Sequence, residues 1–94
     1  MPITVRFSSF LREITKENEI LLDINEISLD KLLDILCEKY GAQFKNKCID
    51  NTTKNFKSFI NIFVNRIPLQ EINMNSVVIR DNDTIHFLPA ISGG

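Results

Sequence analysis

One segment restricts the fold more than any other. SLDKLLDILCEKYG, residues 28–41, is the clearest helix in a chain otherwise patterned for strands. Leu29, Leu32, Leu33, Leu36 and Tyr40 fall at helical spacing on one stripe, so the helix has a single apolar side to cover. Ser28 is a good N-cap, Asp30 sets negative charge in the first turn, and Lys39 suits the last. Gly41 suits the position just past the end. Lys31 stands where a capping box would need Glu or Gln. One amphipathic helix needs one apolar face opposite it, and a sheet is the economical source of such a face.

The strands are legible by alternation. In ITVRFSS, residues 3–9, Ile3, Val5 and Phe7 alternate with Thr4, Arg6 and Ser8. Residues 10–14, FLREI, make either a turn of helix or a compact bend. EILLDI, residues 19–24, puts Ile20, Leu22 and Ile24 on one face and closes an opening hairpin. FINIFVN, residues 59–65, puts Ile60, Ile62 and Val64 on one face and Phe63 on the other. Asn65-Arg66 turns the chain, and Ile67 and Leu69 give a short edge segment, because Pro68 cannot donate to a ladder. Asp81-Asn82-Asp83 is a tight turn in which Asn82 tolerates a left-handed backbone. Thr84 to Leu88 form the last strand, with Ile85 and Phe87 inward and His86 and Leu88 outward. Pro89 is expected to end the pairing.

Residues 42–58 are polar and rich in Asn and Lys. They read as a long connection with at most a helical turn near Phe44, although a structureless loop of that length is unusual in a compact domain. The expected fold is α+β: a mixed sheet of four to five strands packed on one main helix. The first and last strands can lie parallel at its centre, as in a β-grasp. A single domain over 1–94 is expected, with 90–94 as a tail.

Composition narrows the function. Ninety-four residues, 44% hydrophobic and 24% charged, suit one globular core without staples. A net charge of −1 leaves no basic footprint for nucleic acid; Lys45, Lys47, Lys54 and Lys57 read as a solvated loop. The absence of a long apolar run or a leader pattern points to no membrane partner and a cytoplasmic setting. His86 is the one histidine, and Cys37 and Cys48 are too few and too far apart for zinc, so no metal is expected. Cys37 reads as a core or boundary residue and Cys48 as a bystander thiol in the loop.

No nucleophile–base pair and no phosphate-cradling glycine loop is visible, because only Gly41 lies outside the tail. What the chain offers is its end, Ile91-Ser92-Gly93-Gly94. This places a carboxylate on a thin stalk. An ionised carboxylate is a poor electrophile, but ATP can convert it to an acyl-adenylate. A sulfur donor then yields a thiocarboxylate, or an amine yields an amide. Both outcomes require a narrow tail sliding into a channel, and glycine alone lacks the obstructing side chain.

VRFSSFLREI at 5–14, NIFVN at 61–65 and RDNDTIHFLPAISGG at 80–94 resemble the ubiquitin-like sulfur carriers. That family includes the small subunit of molybdopterin synthase (MoaD) and the thiamine sulfur carrier (ThiS). Where the family usually has D-G-D, this chain has D-N-D; where MoaD-type members often carry two aromatics in the first strand, Ser8 follows Phe7. FINIFVN and LPAISGG also resemble the carrier that feeds cysteine synthesis, and archaeal ubiquitin-like modifiers share these features. The resemblance implies a β-grasp fold and a thiocarboxylate on Gly94, with Gly93, Ser92 and Ile91 as its stalk. It implies no bound cofactor, and ATP consumed by a partner that resembles ubiquitin activators. It further implies a sulfur donor and an acceptor such as the large subunit of molybdopterin synthase. The free chain is expected to be monomeric and not an enzyme on its own. Cysteine synthesis and conjugation to lysines stay open as alternatives. Phe63, His86 and Leu88 share the outward face by alternation, with Ile67 and Pro68 after the turn, and together they are the expected docking patch. The competing expectation is that residues 42–58 fold over this face and bury it.

Overall fold

The computed structural model describes residues 1–69 and 76–90. The element order is β1 (Ile3–Phe7), α1 (Phe10–Thr15), β2 (Glu19–Leu22), β3 (Glu26–Ser28), α2 (Leu29–Tyr40), α3 (Ala42–Cys48), β4 (Ile60–Val64), β5 (Ile67–Pro68), β6 (Val78–Arg80) and β7 (Thr84–Pro89). Five strands form one mixed sheet in the order β2-β1-β7-β4-β5. β7 lies at its centre, parallel to β1 and antiparallel to β4. This is the expected β-grasp arrangement of first and last strands.

Register makes the two faces chemically different. Phe7, Phe87 and Ile62 stand in one row across the inner face, and Val5, Ile85 and Val64 in the next. α2 lays Leu29, Leu32, Leu33 and Leu36 against this face, all buried. Tyr40 ends the stripe half-buried, its ring edge-on to Phe7 at 5.7 Å and its hydroxyl donating to Glu17 at 2.7 Å. The two cap groups of α2 work differently from each other. The Ser28 hydroxyl donates to the Asp30 carboxylate rather than to a backbone N–H of the first turn. Gly41 has φ +84°, and a Cβ there would meet nothing within 4 Å, so backbone conformation rather than crowding demands glycine.

The segment after Gly41 departs from expectation. Ala42–Cys48 is a second helix, and Phe44 and Cys48 on it are fully buried. Lys45 and Lys47 therefore project from a helix rather than a loop. Cys48 is a core residue, and burial pushes its thiol up to about 12, which makes it unreactive. Ile49 and Phe56 then bridge to each other and pack into the same core, with the Phe56 ring tilted against Phe87 at 5.6 Å. Residues 42–58 thus close the inner side of the sheet. The polar letters that suggested a loop are its solvent side, with the buried residues too widely spaced to show a stripe.

A two-stranded sheet, β3 with β6, stands beside the helix, pairing Ile27 with Ile79. Three-residue strands with one inward side chain each are too short to show alternation. Asn82 has φ +70° as expected of the D-x-D turn. One Asp83 carboxylate oxygen accepts from the Arg80 N–H at 2.8 Å and the other from the Asn65 amide at 2.9 Å. Asn65 in turn accepts from the Thr84 N–H at 2.9 Å, which ties the β4–β5 turn to the start of β7. Among the described residues no helix is long and apolar enough to cross a membrane.

Candidate functional site

Alternation along β7 sends Thr84, His86 and Leu88 to the side of the sheet that no helix covers among the described residues. The register brings others beside them. Glu19, Arg6, His86, Phe63 and Pro68 are successive partners in one row across five strands. Leu88 faces Asn61 in the adjoining row. Phe63, His86 and Leu88 are half-buried, and the Phe63 and His86 rings approach to 6.5 Å. They line an open groove of about 550 Å³ together with Arg6, Asn65, Arg66 and Thr84.

Of the five expected patch residues, four are therefore on the outer face and one is not. Ile67 pairs with Val64, on the inner side of the edge strand, and is 67% exposed there. Counting onward from Phe63 does not reveal this, because the two-residue turn reverses the chain and Pro68, not Ile67, comes back opposite Phe63. The competing expectation, that 42–58 folds over the outer face, is not met, since that segment packs inside.

The groove's polar members were missed from sequence. Asn65 and Arg66 both have positive φ, 51° and 71°, as a two-residue hairpin turn requires. Arg6 reaches the site only through the parallel β1–β7 register, and among the described residues its ion pair is a long 3.9 Å contact with Glu19. Ser8 and His86 Nε2 share a hydrogen bond of 2.6 Å. Partial burial, then the nearby Arg6 charge, lowers the His86 pKa, so the ring is neutral at pH 7. An NMR titration is expected to place its midpoint below about 6.5, and Arg6→Gln to move it back only in part, because burial is the larger cause. A midpoint above that value would contradict this environment.

β7 also fixes where the tail begins. Pro89 remains in register with Ile60, and the Ala90 N–H donates to the Phe59 carbonyl at 2.7 Å. Pairing thus continues past Pro89 instead of ending there: proline lacks a donor, but its neighbours supply the bonds. Ile91, Ser92, Gly93 and Gly94 lie outside the described residues. Among the described residues no group of three or more His, Cys, Asp or Glu side chains is placed to hold a metal.

A central β1–β7 parallel pair in a five-stranded mixed sheet, with one long helix on the inner face, defines a ubiquitin-like β-grasp protein. The model of the ThiS family matches residues 5–94, and the chain belongs to that family of ubiquitin-like sulfur carriers. The chain is similar to the small archaeal modifier protein SAMP1 of Methanosarcina acetivorans, with 25% identity over 99% of this chain and 96% of that one and a TM-score of 0.75. It is similar to a chain of the BexX/CysO complex of Amycolatopsis orientalis, with 24% identity, 98% and 99% coverage and a TM-score of 0.77. It also shares its fold with a putative molybdopterin converting factor subunit 1 of Pyrococcus furiosus, with 13% identity, 97% and 99% coverage and a TM-score of 0.69. No curated protein sequence matches it.

Proposed function

We propose that this chain carries sulfur on the carboxyl group of Gly94. An oxygen of that carboxylate attacks the α-phosphorus of ATP in the active site of a ubiquitin-activator-like enzyme, and pyrophosphate leaves. Hydrosulfide, delivered by a sulfur donor, then attacks the acyl carbon; AMP leaves with the bridging oxygen, and Gly94 ends as a thiocarboxylate. The observation that carries the proposal is the placement of β7. One strand packs Phe87 into the core, presents His86 and Leu88 outward, and holds Ala90 to Phe59 at the root of the tail. Ala90, from which the reactive end extends, is thereby held to the same sheet whose half-apolar face a partner can grip.

For the acceptor we propose the large subunit of a molybdopterin synthase, on the resemblance of residues 5–14 and 80–94 to its small subunit. The catalytic side chains would belong to that partner. Transfer in cysteine synthesis is the alternative sulfur pathway. Conjugation to lysines starts from the same adenylate, and the 25% identity with SAMP1 favours keeping it as a second outcome.

The test incubates the chain with an adenylating enzyme, ATP and sulfide, and weighs the product. The expected result is one oxygen replaced by sulfur at Gly94. Failure to form adenylate with any such enzyme would overturn the proposal. Lysine remnants bearing the tail on many proteins, without free thiocarboxylate, would select conjugation instead.

The outer face supplies a further expected outcome. Leu88→Asp or Phe63→Asp should weaken binding to the activating enzyme by about 2 kcal/mol or more, roughly thirtyfold, because truncating a central apolar anchor costs that much. Unfolding temperature should change little, since both side chains are only half-buried. Calorimetric affinity beside thermal unfolding checks it; a large loss of stability with unchanged affinity would make this face core rather than interface.

A further inference from the structure

We propose that Phe10 and Phe59 form an aromatic rim at the root of the tail, on which the activating enzyme seats the apolar mouth of its tail channel. The proposal rests on the carrier function above and extends the contact from the outer face to the end of the sheet.

β7 runs between β1 and β4, and each neighbour sends one phenylalanine to its C-terminal end. On the β1 side the Ser8 N–H donates to the Phe87 carbonyl at 3.3 Å, after which the chain turns into α1 at Phe10. On the β4 side the Phe59 carbonyl accepts from Ala90. The two rings, though 49 positions apart (59 − 10), meet with centroids 6.2 Å apart at 60°. Phe59 is 38% exposed and Phe10 half-buried. Between strand and helix, Ser9 holds φ 58° and ψ −138°, a region that residues with side chains rarely occupy. That turn is what brings Phe10 round to the exit of β7.

The occupant follows from reach. The four residues 91–94 span at most about 14 Å when fully extended. An enzyme that brings the α-phosphorus of ATP to Gly94 must place it within that distance of Ala90. The channel mouth therefore abuts the residues around Ala90, among them Phe59, which holds Ala90 and has the Phe10 ring beside its own. Burying them against apolar channel walls adds affinity without touching the reacting atoms.

The experiment is ATP–pyrophosphate exchange with an adenylating enzyme that accepts the wild-type chain, run with Phe59→Ser and Phe59→Leu. Phe59→Ser should raise the KM for the chain about tenfold or more with kcat within about twofold, the signature of lost uniform binding, and Phe59→Leu should restore most of it. An unchanged KM for Phe59→Ser would overturn the rim and leave the carrier function standing. Failure to find any adenylating enzyme that supports exchange with the wild-type chain would overturn both. Should Phe59→Ser unfold, backbone NMR of the wild-type chain titrated with the enzyme decides: Phe10 and Phe59 signals must shift along with Leu88. Shifts at Leu88 alone would overturn the rim.

Discussion

Removing Gly94, or adding one residue after it, is expected to abolish adenylation and to leave thermal unfolding of the domain unchanged. The stability half of this expectation follows from the core. Among the described residues the buried hydrophobic side chains run from Ile3 to Phe87, and a terminal glycine has no side chain to add to them. The chemical half follows from position. Truncation leaves a carboxylate on Gly93, of the same intrinsic chemistry but about 3.5 Å short of its place, and extension carries it as far beyond. Misplacement of a reacting group by about 1 Å can already cost about a hundredfold, so a full residue should remove measurable exchange. Gly93→Ala is expected to be less severe but still damaging, because a methyl group enters a channel shaped for bare backbone. ATP–pyrophosphate exchange and a melting curve on the same samples measure both halves. Activation of an extended chain, shown by intact mass to be untrimmed, would rule out Gly94 as the reacting residue.

The parts of this molecule that were legible in its sequence are those whose periodicity survives in a single segment. The Leu29–Leu36 stripe and the alternation in ITVRF and TIHFL each announce an element and a face. Asn82 announced its left-handed turn because few other residues accept it. What stayed hidden depends on relations between segments. Arg6 and Ser8 join His86 only once β1 and β7 are set in parallel register, and no local pattern encodes a register between strands nearly eighty residues apart. Ile67 was misplaced because a two-residue turn returns Pro68 opposite Phe63. α3 was hidden by composition: a seven-residue helix with two buried residues among lysines and asparagines has too few turns to display a stripe. Phe10 and Phe59 belong to the same class. Each reads as an ordinary apolar residue at the end of an element, and their meeting is visible only in three dimensions.

Phe87→Ala should be the most damaging single substitution in the core. Phe87 is fully buried at the centre of the central strand, flanked in register by Phe7 on β1 and Ile62 on β4. Its ring stacks on Phe7 at 6.2 Å with 15° between planes and tilts against Phe56 at 5.6 Å. Removing it empties a site walled by two strands and by the bridge at Ile49 and Phe56. Those walls cannot close without breaking ladder hydrogen bonds. Phenylalanine-to-alanine changes at such sites cost about 3–5 kcal/mol, against a total stability of about 5–15 kcal/mol for an ordinary domain. A fall in unfolding temperature on the order of 15–25 °C follows for a chain of this size. The same strand carries His86, Leu88 and the root of the tail, so a chain unfolded by loss of the Phe87 anchor loses the docking face together with the core. Activation should therefore decline in step with the unfolded fraction on warming, while the remaining folded chain keeps its KM. Chemical denaturation of wild type and variant, read by circular dichroism, measures the cost. A change below about 1 kcal/mol would mean that the walls relax into the space and that the core does not hinge on this ring.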